Sequence, residues 1–119
     1  MMTPFERYAA NSLELALMRV GFTVYNQPRM SAQPQIRLDL VAIDPSNNRS
    51  IGIDIKTFHR KIVPEPTAVK PKFVTFQASK IPVHTVFVSS EPKRIYLDRA
   101  LAEIIQFKDS YVAVLRDAV

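Results

Sequence analysis

Two hydrophobic periods alternate along this chain. From Thr3 to Val20 the apolar residues Phe5, Tyr8, Ala9, Leu13, Ala16, Leu17 and Val20 recur at three- and four-residue spacing. Such residues share one face of a helix, so the segment predicts an amphipathic α-helix. Thr3 is placed to cap it, Pro4 takes the first helical position, and Glu6 stands where a capping box requires an acid. Gly21 ends it. The period then shortens to two. Phe22–Asn26 predicts a short first strand, Arg37–Asp44 a second, Ser50–Phe58 a third and Val83–Ser89 a fourth. Asp98 can cap a last helix carrying Leu101, Ile104 and Ile105, and Tyr111–Leu115 predicts a final short strand. The polar stretch from Pro28 to Pro34, and the one around Pro64, Pro66 and Pro71, predict loops. Lys72–Lys80 carries both signals. Val74, Phe76 and Ala78 alternate as in a strand, whereas the place of the segment between two strands suggests a short helix.

The second and third strands hold the informative pattern. Pro45-Ser46-Asn47-Asn48 is a strong turn signal and predicts an antiparallel hairpin. A turn centred between Ser46 and Asn47 sets Asp39 opposite Asp54. Opposed residues have Cβ atoms roughly 4.5–5.5 Å apart, so two carboxylates there repel unless they share a cation. Side chains alternate along a strand. Asp54 and Lys56 therefore project to one face, and Ile51, Ile53 and Ile55 to the other, which seeks the core. The third and fourth strands are far enough apart for a crossover, which predicts a parallel pair. The expected fold is α/β: a mixed sheet with the hairpin at its centre and helices on both sides.

Composition narrows the function. A length of 119 residues suits one domain spanning residues 1–119, and its 47% hydrophobic and 23% charged residues are in ordinary globular proportion. No apolar run approaches the roughly 20 residues that span a bilayer, so no membrane partner is expected. Met1-Met2-Thr3-Pro4 lacks a basic-then-apolar secretory layout, and the chain has no cysteine; both favour a cytoplasmic protein. Disulfides and thiolate metal sites are excluded. Two glycines leave no phosphate-cradling glycine loop, and no serine or cysteine triad is laid out. The net charge of +5 and pI of about 9.7 make nucleic acid the leading partner class.

Phosphodiester hydrolysis matches the hairpin residues. A hard cation such as magnesium takes oxygen ligands and sits between carboxylates and a phosphate. A nearby lysine can orient the attacking water or stabilise charge at phosphorus. The alternative is that Asp39, Asp54 and Lys56 are solvated residues on an open strand face. His59, Arg60 and Lys61 form a basic cluster just past the third strand, suited to backbone phosphates. His84 begins an apolar strand and reads as structural. Gln77 would approach the site if a helix formed there.

Asp39, a short turn and then Asp54-Ile55-Lys56 resemble the PD-(D/E)XK nuclease signature. Phe5-Glu6-Arg7, Gly21-Phe22-Thr23-Val24, Leu38-Asp39-Leu40-Val41-Ala42 and Ile53-Asp54-Ile55-Lys56 are most similar to archaeal-type Holliday junction resolvases. The resemblance covers about residues 4 to 60. It implies a restriction-endonuclease-like αβββαβ core and a magnesium-dependent endonuclease (manganese substituting) that cuts branched or duplex DNA as a homodimer. Asp39, Asp54, the Ile55 carbonyl and a helix acid would hold metal, and Lys56 would act at water or phosphate. Leu38 stands where the family has proline, and Asp54 where glutamate is frequent. The helix acid is Glu6 or Glu14. Glu6 borders the apolar face and Glu14 lies nearly opposite it, which favours Glu6; Glu6 as a capping residue alone is the alternative. A catalytically inactive nucleic-acid-binding module and an interaction protein with an incidental acidic pair are the rival expectations.

Overall fold

The computed structural model describes residues 3–26, 38–57, 72–76 and 79–115. Helix α1, Pro4–Arg19, begins at Thr3 with the expected capping box, and Gly21 follows it at φ +100°. Strands β1 (Thr23–Asn26), β2 (Leu40–Asp44) and β3 (Arg49–Thr57) form an antiparallel meander. β4 (Lys72–Phe76), β5 (Ser79–Ser90), β6 (Lys93–Leu97), α2 (Arg99–Ile105) and β7 (Val112–Val114) complete the chain. All seven strands join one mixed sheet in the order β1-β2-β3-β5-β6-β7, with β4 paired to β5. The fold is therefore α/β. β3 and β5 run parallel, from Gly52 opposite Val83 to Thr57 opposite Val88, as the long connection between them implied.

The hairpin register is the expected one. Leu40 pairs with Ile53 and Ala42 with Ile51. Asn48, at φ 56°, and an Asn47 side chain accepting from the Arg49 N–H close the turn. Ile51, Ile53 and Ile55 meet Ala9, Leu13 and Leu17 of α1 in the main core, which also takes Val86, Val88, Ile95 and Leu97 from the sheet and Leu101 and Ile105 from α2. At about 25 cal/mol per Å² this burial is the main force holding helices to sheet. A smaller cluster of Leu38, Val41, Val74, Ile81 and Val83 lies on the opposite face by strand alternation.

Three expectations need correction. Lys72–Lys80 holds no helix among its described residues; β4 and the start of β5 form an antiparallel pair, Val74 opposite Ile81, because alternating Val74, Ile81 and Val83 bury on one sheet face. Nor do described helices cover both faces, since α1 and α2 share the main core on one side. β6 was not expected. Lys93 and Arg94 obscure its pattern, yet Ile95 and Leu97 alternate into the core after a turn at Glu91-Pro92.

Candidate active site

β3 presents its two polar residues as the alternation requires. Ile53 and Ile55 are buried beneath α1, while Asp54 and Lys56 project to the other face. Lys56 Nζ lies 3.7 Å from Asp54 Oδ2, with Lys56 about half exposed at 48%. So exposed and long a contact holds the ammonium loosely. Thr85, buried on β5, stands in register with Asp54 and shares its face.

Asp39 is held differently. Leu38 belongs to the smaller cluster and Leu40 to the main one, so the chain changes sides of the sheet between them. It does so at a bend on Asp39. Gly52 makes room: a Cβ there would lie 2.8 Å from Leu38 Cδ1. The bend brings the Asp39 carboxylate against the backbone of β3. Its N–H donates to the Ile53 carbonyl at 2.9 Å, and its Oδ2 accepts from the Ile55 N–H at 2.7 Å. The carboxylate thus occupies the ladder position that a β2 carbonyl would take if β2 continued. The Ile55 carbonyl points to the same edge as the Ile55 N–H, one step past the last β2 pair at Ile53.

Electrostatics make this corner distinctive. Burial pushes the Asp39 carboxyl above its ordinary range, and the charges of Asp54 and Glu6 add to the shift against the Ile55 hydrogen bond. The helix acid whose charge is felt at Asp39 is thus Glu6. Glu6 also serves in the capping box: its N–H donates to Thr3 Oγ1 at 3.2 Å and its Oε1 accepts from the Thr3 N–H at 3.4 Å. The two roles offered for Glu6 are compatible.

Among the described residues no three His, Asp or Glu side chains converge as a ready metal cage. Asp39 and Asp54 form a pair, and the charge of Glu6 is felt at Asp39. A pair still suits magnesium, which usually takes one or two protein carboxylates and keeps waters and phosphate oxygens as its other ligands. A cation between them would also relieve the repulsion that adds to the burial effect on the Asp39 carboxyl. The residues present fit such an ion.

His84, on β5 opposite Ile53, lies away from this pair. Its Nδ1 is 2.9 Å from Asp98 Oδ2, which fastens β5 to the cap of α2, and its role is structural as expected. His59, Arg60, Lys61 and Gln77 lie outside the described residues. Sequence reasoning missed Thr85 and the Leu38–Gly52 contact. Alternation could have placed Thr85, but no local signal announces the contact. Compared with known proteins, the chain matches no family model, and neither the curated proteins nor the solved structures yield a match.

Proposed function

We propose that this chain is a metal-dependent DNA endonuclease that hydrolyses phosphodiester bonds at Asp39, Asp54 and Lys56. One observation carries the reading: Asp39 is clamped by the Ile55 N–H at 2.7 Å beside Asp54, whose strand also presents Lys56 at 3.7 Å. Two carboxylates, a peptide carbonyl and an ammonium thereby meet at one sheet edge. The same meander of β1, β2 and β3, with a parallel strand beside β3, is compatible with the PD-(D/E)XK core that the motif resembles.

In this reading Asp39, Asp54 and the Ile55 carbonyl hold the ion, and Glu6 strengthens the negative field that retains it. A bound magnesium (or manganese) would acidify a water and neutralise charge on the phosphate. Lys56 orients the water for in-line attack and donates to a phosphoryl oxygen as negative charge develops there. Water adds to phosphorus, the bond to the leaving oxygen breaks, and that oxygen takes up a proton. His59, Arg60 and Lys61 hold backbone phosphates beyond β3. Two cuts in a branched substrate such as a Holliday junction require two such sites, hence a homodimer. A cytoplasmic location belongs to the same proposal.

The loose placement of Lys56, half exposed and 3.7 Å from Asp54 Oδ2, favours a second reading, a nucleic-acid-binding module without catalysis. Labelled branched, duplex and single-stranded DNAs incubated with magnesium, manganese or chelator separate the two. The nuclease cuts with metal and not with chelator. Binding without cutting supports the module. No DNA affinity at low salt defeats both.

A further inference from the structure

A cleft opens at the end of the sheet where β3 and β5 finish. Its volume is about 390 Å³, and Thr3, Phe5, Tyr8, Ser90, Lys93 and Tyr111 line it. That lies within the roughly 300–1,000 Å³ typical of small-ligand clefts. Three rings form its wall. Phe5 and Tyr8 stack at 5.7 Å between centroids, and Tyr111 meets both edge-on at 5.5 and 6.0 Å. Phe5 and Tyr111 pack against the main core and are anchored by it, whereas Tyr8 is 41% exposed. The Tyr8 hydroxyl donates to Asp109 Oδ2 at 2.6 Å, which fixes its ring. Lys93, an exposed residue, carries its ammonium 6.0 Å above the Phe5 ring.

The cleft lies on the α1 side of the sheet and connects to the acidic corner through Thr3, which is hydrogen-bonded to Glu6. Phe5 directly precedes Glu6, whose charge reaches Asp39. Ser90 ends β5 two residues past Val88, which pairs with the last residue of β3, Thr57. Fixed aromatic faces beside an exposed ammonium, with Thr3 and Ser90 also in the lining, suit a planar polar ring attached to an anion. A single-stranded nucleotide is such a ligand: every base has a face to stack, and its phosphate pairs with lysine.

We infer that the cleft between Phe5, Tyr8, Tyr111 and Lys93 seats one unstacked nucleobase of the strand whose backbone crosses the acidic corner. The inference rests on the nuclease reading and sharpens it: the substrate is DNA with an unpaired nucleotide beside the cut, as at a branch, flap or single strand. A fully paired duplex has no base to offer.

The test uses the full chain with calcium in place of magnesium, to prevent cutting. The probe is single-stranded DNA carrying one fluorescent purine analogue, compared with the same analogue inside a duplex. Wild type should quench the single-stranded probe and leave the duplex bright. Tyr8→Leu should abolish the quenching and weaken single-strand affinity about five- to a hundredfold. Tyr8→Phe, which keeps the ring and loses only the Asp109 bond, should quench as wild type does. Lys93→Gln, a surface change that cannot disturb the core, should flatten the salt dependence of single-strand binding by about 0.7. Undiminished quenching in a folded Tyr8→Leu overturns the inference, as does equal affinity of wild type for both probes. If Tyr8→Leu fails to fold, an unchanged salt slope in Lys93→Gln overturns it instead. Cleavage distinguishes the two ideas. Wild type that cuts duplex and single strand alike keeps the nuclease and loses the base pocket; quenching without any cutting keeps the pocket and loses the nuclease.

Discussion

Two half-buried aspartates in this molecule are shifted in opposite directions. Asp98 caps α2, its Oδ1 accepting from the Leu101 N–H at 2.7 Å while His84 Nδ1 sits 2.9 Å from its Oδ2. Burial pulls its carboxyl upward, but His84 and the N–H groups of Leu101 and Ala100 outweigh that and hold it below its ordinary range. Asp39 has one strong donor, the Ile55 N–H, and two acidic neighbours, so burial prevails and its carboxyl is raised. The chain surrounds one carboxylate with donors and leaves the other among like charges. The first arrangement fastens a helix. The second costs stability, and a cation together with a phosphate would recover it.

After the loss of cutting expected at Asp54, the largest effect should come from Lys56, whose ammonium lies 3.7 Å from Asp54 Oδ2. Lys56→Ala should lower the single-turnover cleavage rate about a hundredfold or more, because charge stabilisation at phosphorus is lost. Metal affinity should persist, so a variant with normal rate would mean that Lys56 is ordinary surface charge. Next comes the helix acid. Glu6→Gln keeps the capping box and removes the charge felt at Asp39; activity should fall about ten- to a hundredfold, while Glu14→Gln leaves it unchanged. The reverse order would put the site on another face of α1.

At the contrasting aspartate the expected loss is stability without rate. Asp98→Ala removes a cap and leaves His84 without its partner, which should cost about 1–2 kcal/mol in denaturant unfolding. The sign of its pH dependence follows from a lowered carboxyl. The contribution is present in full above the unfolded value near 3.8 and disappears as pH falls through the still lower folded value. Wild type and variant should therefore differ constantly from neutral pH down to the carboxylate range and converge only in stronger acid. Convergence at neutral pH would remove Asp98 as a fastener. The smallest effect has the opposite sign. In metal-free neutral buffer Asp39→Asn should raise the melting temperature slightly, since the amide keeps the Ile55 hydrogen bond and drops the charge. Added magnesium should narrow the gap by stabilising wild type alone. A lower melting temperature for the variant would contradict the contrast.

The hairpin was legible because two periods agree on it. The turn at residues 45–48 set the register, and strand alternation sent the isoleucines inward and Asp54 with Lys56 outward. What escaped depends on contacts between distant segments. Nothing near Asp39 in sequence shows that Leu38 would settle over Gly52 and that the aspartate would accept from the Ile55 N–H. The β4–β5 pair was hidden because its alternation competed with the expectation of a crossover helix. The aromatic cleft joins residues at opposite ends of the chain, Tyr8 bonding Asp109. In sequence Tyr8 was simply part of the helix's apolar face; in the fold it is exposed.

The pairing of Asp54 with Asp39 is tested most directly by Asp54→Asn, with cleavage and binding measured on the same DNA. Wild type should cut with magnesium and fall silent with chelator. The variant should not cut under either condition, yet should bind the DNA as tightly as wild type or more so, because one anion facing the phosphates is gone. Undiminished magnesium-dependent cutting by Asp54→Asn would show that the chemistry lies elsewhere in the chain.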